Sequence, residues 1–289
     1  MSKRFGQNFL TSSSARQRIL DELGAEPGAE VWEIGPGIGA MTALGLASGL
    51  RLTAFEIDHG FARLLLRLFG DNANFRLVEG DFLKTWKKER ERGARPQRVF
   101  GNLPYSAAGA IVADLLESAP VPPRMVFTVQ KEAAIRMAAK PGSKDYSAFS
   151  VLCTSVCKVR LAFDLGSNSF WPAPRVTSTV VTLEPRARPV GADDRRGFSR
   201  FVRSAFSSRR KTLRNNLKAA RFAGGGDETA LETVLAELGI RLDIRAEALS
   251  PEELAAVHGA LRSGLPASPS AAAQGGRDRS GPGARDDAL

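Results

Sequence analysis

The chain has 289 residues, 43% of them hydrophobic by type and 25% charged, with a formal net charge of +10. That length suits one large domain plus a small one, with enough apolar content for a packed core. No apolar run reaches the length of a membrane span, and Met1-Ser2-Lys3-Arg4 leads into no apolar leader, so the expectation is a soluble, cytoplasmic protein with no membrane partner.

In chain order, Lys3 to Leu10 forms a polar and aromatic arm ahead of a first helix. Ser14 and Gln17 start that helix as a capping box, and Ile19, Leu20 and Leu23 face inward. The arm reads equally as a cover over a ligand or as a frayed terminus. Val31 to Ile34 is a strand, which Gly35-Pro36-Gly37-Ile38-Gly39 turns into a helix carrying Met41, Leu44 and Leu46. Glycines at such a turn permit close backbone approach to a ligand and leave N–H groups available at a helix start. A second strand, Arg51 to Phe55, ends in Glu56, a carboxylate placed to hold both hydroxyls of a ribose. A third, Phe75 to Val78, ends in Gly80-Asp81-Phe82, where Asp81 can accept from an adenine amine.

A fourth strand, Arg98 to Phe100, delivers Gly101-Asn102-Leu103-Pro104-Tyr105, where an amide, a proline-stiffened backbone and an aromatic ring meet at one bend. The exocyclic amine of adenine is a poor nucleophile because its lone pair is delocalised into the ring, and accepting both of its N–H hydrogens relieves that. The Asn102 side-chain oxygen supplies one acceptor and the Leu103 carbonyl the other. Pro104 fixes its own φ and biases Leu103 toward an extended conformation, and Tyr105 offers a face for a base to stack on. Gly35 to Ala40 with Glu56 also fits a nicotinamide fingerprint. The third and fourth strand ends separate the readings, because hydride transfer has no use for Asp81 and the Asn102-to-Tyr105 bend, whereas methyl transfer from a sulfonium does.

Lys84 to Arg92 is a charge-dense segment, read as a solvated helix face, and Ala110, Ile111, Leu115 and Leu116 outline a buried helical stripe. Met125 to Val129 makes a fifth strand, and Lys140 to Tyr146 a flexible, mainly basic loop whose Lys144 is a candidate RNA contact. Cys153 and Cys157 stand four apart, so a helix would put both on one face; metal binding needs more ligands than that, and the reading is two buried structural thiols with no metal centre. Val159 to Leu165 and Val176 to Leu183 read as closing strands. Between them lies Ser169-Phe170-Trp171-Pro172-Ala173-Pro174-Arg175, with Phe170 as candidate second stacking face over a flipped base and Arg175 as a candidate phosphate contact. The alternative for Phe170 is a core plug beneath a proline loop.

Pro185 to Asp193 reads as a linker, and the remainder is helical. From Phe198 to Phe222 there is no acidic residue, while Arg200, Arg203, Arg209, Arg210, Lys211, Arg214, Lys218 and Arg221 all fall there, a local field aimed at phosphate. Ser207 to Asn216 heads this basic helix, Gly224-Gly225-Gly226 breaks it, and Ser250-Pro251-Glu252-Glu253 starts a final helix with a capping box and proline at its first position. From Leu265 on, Pro, Ser, Ala and Gly dominate without apolar periodicity, which predicts disorder.

These motifs in this order resemble the ribosomal RNA adenine N6-dimethyltransferase family, and most closely its bacterial KsgA (RsmA) branch, which modifies small-subunit rRNA. The similar parts are the Gly6-to-Leu10 arm, Glu33-Ile34-Gly35-Pro36-Gly37, Gly101 to Tyr105, Phe170-x-Pro172-x-Pro174-Arg175-Val176 and Arg209-Arg210-Lys211-Thr212-Leu213. The resemblance implies a Rossmann-like class I methyltransferase sheet over residues 1–184, a small all-helical RNA-binding domain over 185–264 and a disordered tail over 265–289. It further implies an S-adenosylmethionine site lined by Asn8, Leu10, Gly35, Glu56, Asp81 and Asn102, to which Gln7, Gly37, Ile57 and Phe82 are added as neighbours. Asn102, Leu103, Pro104, Tyr105 and Phe170 are the expected catalytic set, and Arg209, Arg210, Lys211, Arg214, Lys144 and Arg175 the expected RNA contacts. The implied activity is dimethylation of two neighbouring adenosines in a hairpin near the rRNA 3′ end, by a monomer acting on the 30S subunit precursor. The alternatives are a large-subunit (23S) rRNA methyltransferase of the macrolide-resistance branch and a non-catalytic rRNA-binding assembly factor. Ser106-Ala107-Ala108-Gly109 departs from the hydroxyl- or amide-bearing, Ile-containing run usual after the bend.

Overall fold

The computed structural model describes residues 8–220 and 228–263. Gln7 and the earlier arm residues, Arg221, the Gly224–Gly226 break and the tail from Leu265 lie outside them.

After a short strand β1 (Phe9–Leu10) and helix α1 (Ser13–Leu23), strands and helices alternate: β2 (Glu30–Ile34), α2 (Ala40–Ala47), β3 (Arg51–Glu56), α3 (His59–Phe69), β4 (Phe75–Glu79), α4 (Phe82–Glu91), β5 (Arg98–Asn102), α5 (Ala108–Glu117) and β6 (Arg124–Gln130). Helices α6 (Lys131–Met137) and α7 (Ala148–Val156) lead to β7 (Cys157–Leu165), the two-residue β8 (Phe170–Trp171) and β9 (Ser178–Pro185). Helices α8 (Arg195–Ala205), α9 (Leu213–Ala219), α10 (Glu228–Glu237) and α11 (Pro251–Ser263) follow.

The main sheet has seven strands in the order β4-β3-β2-β5-β6-β9-β7. The first five pair in parallel, and β9 inserts antiparallel between β6 and β7. The path runs outward from β2 to β4 and then returns to β5 on the other side of β2, so the crevice between the carboxyl ends of β2 and β5 is the topological switch point, where ligands bind in open α/β sheets. This is the open, mostly parallel α/β arrangement that the strand-end turns predict and the class I methyltransferase sheet that the resemblance implies.

Side chains alternate across the sheet as strand geometry requires. Val31 and Val126 join Ile19, Leu23 and Leu52 on the α1 face, while Trp32, Ile34, Met125 and Phe127 join Val112 and Leu115 on the α5 face. Four aromatic residues, Trp32, Phe55, Phe82 and Trp86, meet beneath α4, with ring centroids as close as 5.0 Å. Helix α4 therefore has a solvated charged side, as expected, and an aromatic underside whose Trp86 Nε1 donates to Asp114 at 2.8 Å.

Several local expectations change. Helix α1 is capped by Ser12, whose hydroxyl accepts from the Ala15 N–H at 3.2 Å, while Gln17 donates to Asp21 one turn on, so no Ser14–Gln17 box forms. Cys153 lies in α7 but Cys157 ends it and begins β7; both are buried, and burial pushes both thiols up, Cys157 to about 12. The loop before α7 is anchored: Tyr146 is buried and its hydroxyl donates to the Leu249 carbonyl at 3.0 Å. The segment after β9 is pinned to α7 as well, with Arg186 N–H donating to the Val156 carbonyl and Val190 N–H to that of Ser155. The capping box at Ser250 and Glu253 forms as expected, Ser250 N–H donating to the carboxylate at 2.7 Å and Glu253 N–H to the hydroxyl at 3.1 Å.

A second apolar core joins α8 to α11, where Phe201, Leu217, Leu235 and Leu254 pack together with Tyr146 and Val151. No helix among the described residues is long and apolar enough to cross a membrane.

Candidate active site

The site is built on the switch point. Gly35, Gly37 and Gly39 all take positive φ, at 69°, 57° and 81°, a region that side-chain-bearing residues avoid. At Gly37 the absence of a side chain also makes room, because a Cβ there would stand 2.8 Å from the Phe9 ring. The end of the arm, residues 8–10, thus lies across the glycine turn. It is held by pairing of Phe9 with Trp171 and of Leu10 with Phe170, by Thr11 and Ser12 N–H groups donating to the Ser169 carbonyl at 2.8 and 3.3 Å, and by an edge-on contact of Phe9 with Phe61. Phe9 and Leu10 are therefore paired into the structure and do not fray.

Beneath the arm is a cleft lined by Asn8, Leu10, Gly35, Gly37, Glu56, Ile57, Asn102 and Tyr105. Beside it is a wider cavity of about 530 Å³ bounded by Ile57, Asp81, Phe82, Pro104 and Tyr105. Every expected cofactor-side residue within the described chain therefore lines one or other of these two adjoining cavities, which share Gly35, Ile57, Pro104 and Tyr105 as walls.

Glu56, at the end of β3, is buried, with Oε2 accepting from Gly37 N–H at 2.9 Å and Oε1 from Asp58 N–H at 2.8 Å. Burial raises its pKa, and these backbone donors oppose the rise. A carboxylate has about four lone-pair sites, so both oxygens retain capacity for hydroxyls. Asp81 caps α4, accepting from Leu83 N–H at 3.0 Å through Oδ1. The Glu56 carboxylate and the apolar walls at Ile57 and Phe82 are groups that could hold the ribose and base of a nucleoside.

Glu33, which the sequence places in the glycine-turn motif without a role of its own, also lines the cleft. It faces the cleft from β2, and Thr42 of α2 donates to its Oε2 at 2.6 Å. Complete burial pushes it up to about 8, and the Glu56 charge adds to that rise while the Thr42 bond opposes it. Its signal in the sequence is the Thr42 partner nine residues on, visible only once the glycine turn folds β2 back onto α2.

At the bend, Asn102 closes β5, and its Nδ2 donates to the Asn8 carbonyl at 2.7 Å. Leu103 N–H donates to the Thr128 carbonyl, and its side chain is buried in the core, so the residue contributes backbone to the site. Tyr105 is tethered by a 2.7 Å hydrogen bond between its hydroxyl and Ser178 Oγ. Helix α5 starts at Ala108 with no side-chain cap, and Ser106 just before it lines the wider cavity.

Phe170 is corrected. It is 4% exposed, packed with Leu10, Phe100 and Val180 in the α1-side core, which is the core-plug alternative. Strand alternation turns its neighbour outward, and Trp171 is 59% exposed.

The basic segment is also corrected. Arg209, Arg210 and Lys211 lie in the turn between α8 and α9, and Thr212 caps α9 by accepting from Asn215 N–H. Arg209 pairs with Glu247 and donates to the Ser143 carbonyl at 3.2 Å, and Arg214 pairs with Glu232. Because Glu247 also accepts Gly142 N–H through its backbone carbonyl, the Lys144 loop and the Arg209–Lys211 turn form one surface, on which Arg210, Lys211 and Lys144 are exposed. Arg175 is exposed on the separate loop after β8.

A sequence model of the ribosomal RNA adenine dimethylase family matches residues 1–257. A Treponema denticola protein named ribosomal RNA small subunit methyltransferase A is 42% identical over 253 residues, 86% of each chain. A Pseudomonas aeruginosa protein of the same name is 43% identical over 217 residues, 75% of this chain and 81% of its own. Among solved structures, a Plasmodium falciparum dimethyladenosine transferase superposes with a TM-score of 0.71 at 22% identity, covering 85% of this chain and 94% of that one. The 23S rRNA methyltransferase ErmE superposes with a TM-score of 0.61 at 24% identity, covering 88% of this chain and all of that one, and both likenesses speak to the fold. With the switch-point cleft, the Asn102-to-Tyr105 bend and this match over nearly the whole described chain, the protein belongs to the ribosomal RNA adenine dimethylase family.

Proposed function

We propose that the chain dimethylates N6 of two adjacent adenosines in a hairpin near the 3′ end of small-subunit (16S) rRNA, using S-adenosylmethionine, as a step in small-subunit biogenesis. The observation that carries this is the Asn102-to-Tyr105 bend opening onto the same cleft as the glycine turn and Glu56. Relatives at 41–43% identity, all named small subunit methyltransferase A, favour the small subunit over the large.

The cofactor, when bound, supplies an electrophilic methyl group on a positively charged sulfur. Glu56 would hold its ribose, Ile57 and Phe82 its base, Asp81 the base amine, and the glycine turn would let the backbone approach its tail. Asn102 Oδ1 and the Leu103 carbonyl accept the hydrogens of the target amine, keeping its lone pair directed at the methyl carbon, and Tyr105 supplies the stacking face. No strong base is required, because the cationic amine left by methyl transfer is acidic and loses its proton to water. The two histidines accord with this, since neither lines the cleft: His59 is exposed and pairs with Glu79 at the carboxyl end of β4, and His258 is buried beside Phe198 and Phe201 in the helical region. Catalysis is then positioning and electrostatics.

Incubating the protein with labelled S-adenosylmethionine and small subunits from an unmethylated strain, then mapping the label, tests the reading. Two dimethyladenosines near the 16S 3′ end are expected. Label in 23S rRNA would move the chain to the large-subunit reading, and no transfer on any rRNA would leave a binding factor.

A further inference from the structure

Asn102 has a partner 94 residues away in sequence: its Nδ2 donates to the backbone carbonyl of Asn8. A peptide carbonyl only accepts, so an amide facing it must present its NH2 branch and turn Oδ1 the other way. The amine of an adenine needs that Oδ1, and a reversed amide would set N–H against N–H. An asparagine side chain has no intrinsic preference between these two orientations, since its terminal torsion is broad and roughly two-fold. The arm breaks the symmetry.

The arm is itself a built element. Leu10 is buried, Phe9 packs on Gly37 and Phe61, and two successive N–H groups bond Ser169. Asn8, Phe9 and Leu10 line the same cleft as Asn102 and Glu56. We propose that docking of the arm sets the orientation of the Asn102 amide, with the Asn8 backbone as positioning group, so that covering the cofactor-side cleft and presenting the acceptor to the base are one event. This rests on the dimethyltransferase reading for its catalytic meaning.

Hydrogen exchange on the free protein tests the coupling without any reaction. In Asn102→Asp and Asn102→Ala, the Thr11 and Ser12 amides should exchange about threefold to tenfold faster, the scale of one lost hydrogen bond, while the β6 amides stay at wild-type rates. Asn102→Ala gives the same reading if the aspartate variant folds poorly. Unchanged arm exchange in the folded variants overturns the proposal. Catalytic consequence is read from Phe9→Ala, which loosens the arm and leaves Asn102 intact. Its kcat at saturating cofactor should fall about tenfold or more, the scale of a misplaced reacting group. A rise confined to the KM for cofactor, with kcat kept, would make the arm a cover alone and overturn the positioning role. If wild type transfers no methyl group while arm exchange responds as expected, the coupling stands and the dimethyltransferase reading fails.

Discussion

Glu33 holds a proton at neutral pH because it is sealed from water beside a second carboxylate. Its folded value of about 8 lies above the ordinary 4.5, so once pH passes the lower value the unfolded chain has released a proton that the folded chain keeps. Stability from this group is complete at acid pH and declines by up to about 1.4 kcal/mol per pH unit until the folded value is reached, then levels. Glu33→Gln, which can still accept from Thr42, should flatten the fall in unfolding free energy between pH 5 and 8, as read by urea titration; parallel profiles would show that Glu33 ionises normally. At the bend, Asn102→Ala should lower kcat by roughly a hundredfold or more with a smaller effect on cofactor affinity, the scale of one preorganised polar contact. Near wild-type methylation of rRNA would remove Asn102 from the chemistry. Asn102, Glu56 and Asp81 were legible because each ends a strand at a turn of distinctive chemistry. Glu33 and the Asn8 contact were not, since their partners become neighbours only through the fold, and the burial that neutralises Glu33 has no local sequence signature.

Elements were easiest to read where the hydrophobic pattern and the turn chemistry agreed. The parallel strands appear where apolar runs meet glycine or aspartate, and α11 starts at its predicted box. Where several residues could do the same job, the reading slipped: Ser12, Ser13 and Ser14 can all cap, and the choice of Ser12 follows from where the arm leaves β1. Phe170 and Trp171 are a similar pair, for a one-residue change of phase in a short strand decides which ring is buried. The glycine turn makes a sharper prediction. Gly37→Ala meets both a disfavoured φ and the Phe9 ring, so S-adenosylmethionine affinity by calorimetry should drop by about tenfold or more, the scale of a backbone-strain cost of about 1.4 kcal/mol. Unaltered affinity would mean that the turn and arm yield freely.

At the scale of the molecule, linear charge counting overstated the basic segment. It has no acidic residue along the sequence, yet Glu117, Glu232 and Glu247 come from other elements to meet Arg203, Arg214 and Arg209. Arg210 and Lys211, exposed beside Lys144, are better placed for phosphate. Arg210→Ala with Lys211→Ala should weaken RNA binding and shallow the log-log salt dependence by about 0.7 to 0.9 per lost phosphate contact, whereas Arg214→Ala should act mainly on stability. A salt slope that responds only to Arg214 would invert this assignment. Helix α7 has one flank in each of two cores, Leu152, Cys153 and Val156 in the sheet's and Val151 in that of the following helices. It is a party wall: severing the chain after β9 would strip one side of it bare, so the catalytic half, produced alone, should clump rather than live as an independent enzyme, and calorimetry of the intact chain should record a single melting peak.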